Sequence, residues 1–168
     1  MALTANFVLN VNFSFTNPLD LTTPKDTGQL TLPLALTNGT GDNQADKIFH
    51  DERTLSDEGT ETLDFHDGSL TDAFGNALTL DKLKSLVIVN YSVEATLLVG
   101  GAAATVLPLF ADDTDIIKVP VATTLQPGII WWAAPKGIDI TTNSDLKLTH
   151  DGTGTDSLTF RIIAVGVD

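Results

Sequence analysis

The sequence predicts an all-β fold: an antiparallel β-sandwich, of jelly-roll type, preceded by a two-stranded N-terminal extension. Apolar and polar residues alternate over several stretches, which is the period of a half-buried strand. Of the 22 acidic residues 18 are Asp and only 4 are Glu, and Asp favours turns over helix interiors. Turn-forming residues separate the apolar stretches at short intervals, and no long amphipathic helix lies between them.

The two N-terminal strands show the clearest alternation. In residues 5–15, apolar side chains take nearly every second position, and Asn17-Pro18 ends the stretch. In residues 30–36, leucines alternate with other residues. Pro33 has no N–H to donate to a ladder, so this second strand must lie at an edge or pair on one side only.

We divide the chain into residues 1–45, a β-stranded arm, and residues 46–168, the sandwich domain. A two-stranded unit is marginal on its own. The arm must therefore dock on its own sandwich, swap into a neighbouring chain, or attach to something larger. The candidate interface residues are the large apolar side chains of the alternation: Phe7, Phe13, Phe15, Leu30, Leu32 and Leu34.

The second unit holds candidate strands separated by turn sequences such as Asp67-Gly68 and Pro127-Gly128. The number of short strands in this length suits a jelly roll. The candidates cover residues 47–55, 60–65, 83–91, 95–99, 116–119, 128–134, 138–141, 146–150 and 157–167.

The composition excludes several classes of protein. Nine basic against 22 acidic residues give a net charge of −13, and such a surface repels nucleic-acid backbones and anionic membranes. No apolar run is long enough for a transmembrane helix, and the N-terminus lacks the pattern of a signal peptide. We therefore expect a soluble protein made in the cytoplasm, with neither nucleic acid nor membrane as partner. The absence of cysteine excludes disulfides and cysteine nucleophiles.

Two adjacent tryptophans, Trp131 and Trp132, fall in the predicted strand 128–134. Successive side chains of a strand point to opposite faces, so the two rings cannot enter the same core. Either the chain itself covers the strand on both faces, or one ring lies at a subunit or partner interface, where Trp is a frequent anchor. Stacking on a sugar ring is the third interpretation.

Aspartate-rich loops are a weak indication of a metal. Hard cations such as Ca²⁺ take several oxygen ligands, and two loops concentrate them, although neither follows the EF-hand order. Solvated turns are the usual role of such loops in an acidic β-protein, so we expect no cofactor. The calcium candidates are Asp112, Asp113 and Asp115 in one loop and Asp151 and Asp156 in the other.

Catalytic residues are poorly indicated, and we expect a protein that is not an enzyme. The sequence contains no G-x-S-x-G nucleophile motif. Its three histidines lack the H-x-x-x-H or H-x-H spacing of a zinc site. Three of the four glutamates lie in residues 52–61, which is typical of a solvated face rather than of two carboxylates poised across a cleft.

From Lys47 onward the sequence resembles virion proteins of tailed bacteriophages, in which a small β-sandwich or jelly-roll protein decorates the head or forms part of a surface attachment. The resemblance rests on residues 70–80 with Asp72 and the Gly75-Asn76 turn, on the Pro127-Gly128 turn, and on the closing strand that ends at residues 164–167. These are strands and turns, so no catalytic residue carries over. Residues 1–45 lie outside the resemblance.

The resemblance implies a non-enzymatic structural protein of the virion surface, made in the host bacterial cytoplasm. It would be an oligomeric capsid decoration or cement subunit, usually a trimer, that contacts the major capsid protein or other virion proteins. Two further hypotheses remain. One is a carbohydrate- or receptor-binding module of a phage tail or fibre, with Trp131 or Trp132 as the stacking platform. The other is a glycoside-active enzyme with two carboxyl groups about 5–10 Å apart.

Overall fold

The computed structural model describes residues 2–101, 105–152 and 156–168. Within these ranges the chain forms strands, turns and irregular segments, with no helix. The strands are β1 (Ala5–Thr16), β2 (Lys25–Asn38), β3 (Gln44–Ala45), β4 (Lys47–Leu55), β5 (Thr60–Asp64), β6 (Leu70–Thr71), β7 (Ala77–Leu78), β8 (Lys82–Asn90), β9 (Leu97–Gly100), β10 (Ile116–Val119), β11 (Gly128–Asp139), β12 (Asp145–His150) and β13 (Leu158–Val167).

Two four-stranded sheets form the body of the molecule, which here means residues 46–168. Their strand orders are β10-β9-β12-β5 and β11-β8-β13-β4, and all neighbouring strands are antiparallel. Alternate residues of both sheets enter one apolar core, which includes Leu97 and Leu148 from the first sheet and Phe160 and Ile162 from the second. The all-β, sandwich-like fold is therefore as the sequence predicts.

A buried asparagine ties the two sheets together. Asn90, at the end of β8, has no exposed surface. Its Nδ2 donates to the carbonyl oxygens of Ala95, Val119 and Pro120 at 3.0, 3.3 and 3.1 Å. Because Val119 ends β10, one side chain of the second sheet satisfies backbone acceptors at the edge of the first.

Strand β11 differs from the two separate strands predicted over residues 128–134 and 138–141. It is one strand whose register against β8 shifts between Ala133 and Ile138. The side chain of Lys84, only 1% exposed, lies at this irregularity. Its Nζ donates to the carbonyl oxygens of Pro135 and Lys136 at 3.2 and 2.8 Å. The break between the two predicted strands is therefore a bulge within one continuous strand.

The N-terminal strands β1 and β2 form a long antiparallel hairpin that we call the N-terminal hairpin. The two strands pair from Ala5 opposite Leu36 to Thr16 opposite Lys25. Along β2, only Thr37 and Asn38 pair with a second neighbour, the short parallel strand β3. At Pro33 the strand therefore pairs on one side only, as predicted from the missing N–H.

Candidate interaction surface

The N-terminal hairpin is amphipathic because of its register. Residues directly opposite each other in an antiparallel pair share a face. The pairing brings the apolar positions of both strands to one face and leaves mainly polar residues on the other. The apolar face is built from the pairs Ala5–Leu36, Phe7–Leu34, Leu9–Leu32 and Val11–Leu30, followed by Phe13 opposite Gly28 and Phe15 opposite Asp26.

The base of this face packs on the outer surface of the second sheet, within the same chain. Leu36 is 1% exposed, and it forms a second apolar cluster with Leu34, Ala45 and Val165. The ring of Phe7 stacks on that of Trp131, with centroids 6.1 Å apart and an interplanar angle of 22°. This contact fixes the hairpin to the body at its base.

The two tryptophans lie on opposite faces of β11, as the alternation predicts. Trp131 packs against the hairpin base, whereas Trp132 packs against the main core. Ser85 links them, because its Oγ accepts a hydrogen bond from Trp131 Nε1 at 3.0 Å and lies 3.1 Å from the carbonyl oxygen of Trp132, to which it donates. Both rings are half-buried by the chain's own segments. A role for either in subunit contacts stays a prediction.

Beyond the base, none of the residues that the structure describes covers the apolar face. From Leu9 to the tip, every residue of β1 is exposed, and Phe15 is 70% exposed. We call this uncovered part the distal apolar face. Phe7 and Leu34, both predicted as interface residues, lie in the base contact, so the uncovered surface starts one residue pair later. A role for them in a subunit interface stays a prediction. The distal apolar face consists of Leu9, Val11, Phe13, Phe15, Leu30 and Leu32, all between 40% and 70% exposed.

Gly28 shapes the distal apolar face. It lies opposite Phe13, and a Cβ at this position would collide with the Phe13 ring. The glycine therefore lets the ring lie flat across the neighbouring strand. A phenylalanine over a cross-strand glycine gives the face a smooth aromatic surface in place of two projecting side chains.

The tip of the hairpin carries two leucines that the alternation does not signal. The backbone N–H of Asn17 donates to Pro24 O at 3.1 Å, and that of Leu19 donates to Thr22 O at 2.8 Å. This ordered turn presents Leu19, which is 55% exposed, and Leu21, which is 100% exposed. Turn composition gave no reason to expect large apolar side chains here; only their exposure in the fold identifies them.

The opposite face of the hairpin is suited to water. Asn10 Oδ1 accepts hydrogen bonds from Asn12 Nδ2 and from Thr31 Oγ1, each at 3.3 Å. These side chains are exposed and bond along and across the strands. The two faces of the hairpin thus differ sharply in polarity.

The charge of the protein lies almost entirely outside the hairpin. Residues 1–38 contain one basic side chain, Lys25, and two acidic ones, Asp20 and Asp26, a net charge of −1. Since the whole chain carries −13, residues 39–168 carry −12. The hairpin is close to neutral, and repulsion between copies of the protein comes from the body.

The aspartates considered for calcium lie in two separate loops. Asp112 Oδ1 accepts from the backbone N–H and the hydroxyl of Thr114 at 2.9 and 2.7 Å, and these bonds lower the pKa of Asp112. Asp115 Oδ2 accepts from the N–H of Asp112. In the other loop, Asp151 Oδ1 accepts from the N–H of Thr96, while residues 153–155 lie outside the described part. Among the described residues, no group of three or more His, Cys, Asp or Glu side chains could hold a metal ion.

A shallow notch of about 270 Å³ lies beside the β6–β7 turn, lined mainly by apolar side chains together with the charged Asp46, Lys47 and Asp72. Asp72 Oδ1 accepts from the backbone N–H groups of Phe74 and Asn76 at 2.8 and 2.9 Å. The hydrogen bonds that Asn76 donates are the largest cause of the lowered pKa of Asp72. This carboxylate is therefore held ionised by its own turn, whereas a general acid needs a raised pKa.

The histidine in the fold's interior has a structural role. His150 is buried, and its Nδ1 accepts from the N–H of Gly152 at 3.0 Å. Its Nε2 lies 3.0 Å from the carbonyl oxygen of Asp156, to which it donates. The ring thereby joins the two described ends of the β12–β13 loop, with both nitrogens engaged by the backbone.

Comparison with known proteins returns no relationship: no protein-family model matches the chain, and no curated protein matches it. Of the described residues, none belongs to a helix long and apolar enough to cross a membrane.

Proposed function

We propose that this protein is a non-enzymatic structural component of a tailed-bacteriophage virion. It would be an oligomeric capsid decoration or cement subunit at the particle surface, synthesised in the host bacterial cytoplasm. The observation that carries the proposal is the distal apolar face of the N-terminal hairpin, which its own chain leaves uncovered. A monomer that works alone gains nothing from holding several large apolar side chains in water, so such a face marks a contact with other protein.

The strand orders of the body support a jelly-roll assignment. Numbering its eight sheet strands in chain order, the two sheets combine the first, eighth, third and sixth strands, and the second, seventh, fourth and fifth. A jelly roll, in which two Greek keys wrap around one core, interleaves its strands in the same way, which supports the assignment. The N-terminal hairpin would then be an extension added before the first strand of the jelly roll.

The charge distribution fits the same role. A body with a net charge of −11 stays soluble and does not adhere to nucleic acid, while the near-neutral hairpin meets other protein without charge repulsion. The contact partners would be further copies of the chain together with the major capsid protein or other virion proteins.

The residues considered for the competing hypotheses are engaged in other contacts. Of the two tryptophans considered as a sugar-stacking platform, Trp131 is stacked on Phe7 and Trp132 packs against the core. Glycoside hydrolysis needs a carboxylic acid with a raised pKa opposite a carboxylate. The notch beside Asp72 offers a carboxylate whose pKa is lowered instead.

Co-sedimentation with heads that lack their decoration protein tests the proposal, together with light scattering of the purified chain. We expect saturable binding to the heads and a mass in solution above that of one 17.8 kDa chain. A strictly monomeric protein that leaves the heads unbound would contradict it.

A glycan array with and without a chelator tests the receptor-binding alternative, and glycan binding without head binding would favour that alternative.

A further inference from the structure

We propose that the distal apolar face packs on the same face of a second copy of this chain, so that the hairpins, rather than the bodies, hold the assembly together. This inference rests on the proposed structural role and names the partner of the hairpin. It makes the hairpin a self-association device and leaves the body free to contact the particle.

Length is the first reason to choose a second hairpin as the partner. The exposed part of β1 after the base contact runs from Val8 to Thr16, and nine residues of strand span about 30 Å. The outer face of the body's second sheet has an apolar strip of its own on three neighbouring strands, at Val87 and Val89, Ile163 and the exposed Ile129. Along the strands this strip extends only from Val87 to Val89, about a quarter of the length needed. A second hairpin matches the whole length.

Charge is the second reason. Docking a hairpin on a neighbour's body would bring two bodies, each with a net charge of −11, close together. Packing hairpin on hairpin keeps both bodies at the outer ends of the contact and buries a face with no ionisable side chain except at its outermost pair, Phe15 opposite Asp26. The polar faces, with Asn10, Asn12 and Thr31, then point to solvent on both sides.

The expected size of the contact sets its strength. A hairpin face about 30 Å long and roughly 10 Å wide offers a few hundred Å², less than the about 800 Å² per partner of a standard interface. Leu19 and Leu21 at the tip add to it. We therefore expect an association that weakens on dilution, not an obligate oligomer with no folded monomer.

Single cysteines test the packing directly, because the chain contains no cysteine of its own. Leu9→Cys, Val11→Cys and Phe13→Cys place a thiol on the distal apolar face, and Asn10→Cys, Asn12→Cys and Ser14→Cys place it on the polar face. Each native side chain is exposed, so all six variants retain the fold. A thiol crosslinker that spans the about 10 Å between packed sheets should join two chains at apolar-face positions and leave polar-face positions uncoupled.

Two lysine variants on opposite faces of the hairpin provide a matched comparison of association strength. Val11→Lys puts like charges into the contact and should weaken association at least about tenfold in sedimentation velocity, whereas Asn12→Lys, the next residue on the opposite face, should leave it unchanged. Crosslinking at both faces alike would indicate edge-to-edge pairing of strands and overturn the inference. Crosslinking at no position would also overturn the inference. Crosslinking that needs added capsid protein would overturn it too, because the partner of the hairpin would then be the particle.

Failure of this inference is distinguishable from failure of the proposed function. Head binding of the full chain is measured separately, by co-sedimentation. Crosslinking at the apolar-face positions but not at the polar-face positions, without head binding, would support the hairpin contact and refute the capsid role. Head binding by a chain whose hairpins never crosslink would refute the hairpin contact and support the capsid role.

Discussion

The N-terminal hairpin and the body are built from the same sequence pattern with opposite results. In β13, alternate residues such as Phe160 and Ile162 are fully buried because the other sheet covers them. In β1, alternate residues such as Val11 and Phe15 lie in water because no segment within residues 2–101, 105–152 and 156–168 covers them. Alternation determines that a strand has two different faces, and the presence of a second layer determines whether the apolar face contributes to stability.

The two regions also differ in how their polar groups are satisfied. In the body, Asn90 and His150 are enclosed and engaged with backbone groups, and no buried side-chain polar atom among the described residues lacks a partner. In the distal hairpin, side-chain hydrogen bonds are exposed to water. We therefore expect mutations in the body to change folding and mutations in the distal hairpin to change association.

The largest contrast is between two phenylalanines. Phe160→Ala removes a fully buried ring from the core and should lower the free energy of unfolding by about 3–5 kcal/mol. Phe15→Ala removes a ring that is already 70% exposed and should change the free energy of unfolding by less than about 0.5 kcal/mol. Urea unfolding of both variants at low protein concentration measures the difference. Equal losses would mean that the hairpin folds as part of the core.

The second-largest expected loss of stability comes from the substitution of a buried lysine. Lys84 Nζ donates to Gly41 O, next to the hairpin, and to two carbonyls of β11, so it joins the two regions. Burial lowers the pKa of Lys84. Lys84→Met keeps most of the side-chain volume but removes three donors, and it should cost about 1–3 kcal/mol. Lys82→Met, on an exposed side chain of the same strand, is the matched control, and a similar loss there would refute the role of Lys84.

The third-largest expected loss of stability comes from the contact between the hairpin base and the body. Phe7→Ala removes the ring stacked on Trp131 and should cost about 1–2 kcal/mol, less than a core phenylalanine because Phe7 is only half-buried. The loss of cover should also shift the tryptophan emission to longer wavelength, since Trp131 gains water contact while Trp132 keeps its contact with the main core. Asn6→Ala, on the other face of the same strand, should do neither. An unchanged emission after Phe7→Ala would show that the stacking is not populated.

The smallest effect is that of the ion pair between Lys47 Nζ and Asp168 Oδ2, 2.9 Å apart. The Lys47 hydrogen bond lowers the pKa of Asp168 below 3.8, and Asp168 raises the pKa of Lys47 above 10.5. The pair therefore stabilises the fold fully between these pH values, and its contribution is lost as the pH falls through the lowered pKa of Asp168. Lys47→Met should cost about 0.2–1 kcal/mol at neutral pH, given the partial exposure of both groups.

A pH series of unfolding curves for Lys47→Met and the wild-type chain checks this prediction. The difference between the two proteins should shrink as the pH is lowered below 3.8. A difference that persists unchanged in acid would show that Lys47 acts through packing and not through Asp168.

Most of the body could be predicted from local sequence. Strands β4 and β10 begin and end where the alternation and the turn residues place them, at Lys47–Leu55 and Ile116–Val119. Strand β11 could not, because the carbonyls that continue it past Lys136 are held by Lys84, which is distant in sequence. Strand β2 begins at Lys25, earlier than predicted, because its first residues are polar and owe their pairing to β1.

The candidate interaction surface could be predicted only in part. The apolar side chains of β1 and β2 were identifiable by their period, and so was the separation of Trp131 from Trp132. Which of these apolar side chains are covered and which are uncovered could not be predicted. Leu34 and Leu32 belong to the same alternation and differ only in whether the body reaches them. The exposed leucines of the tip have no periodic signal at all.

Amide hydrogen exchange across a protein dilution series tests the central claim most directly, that the body is complete in one chain and the distal hairpin is not. We expect the amides of residues 8–16 and 25–33 to exchange quickly in dilute protein and to become protected as concentration rises, while β8 and β13 stay protected throughout. Exchange in the hairpin that is independent of concentration would contradict it.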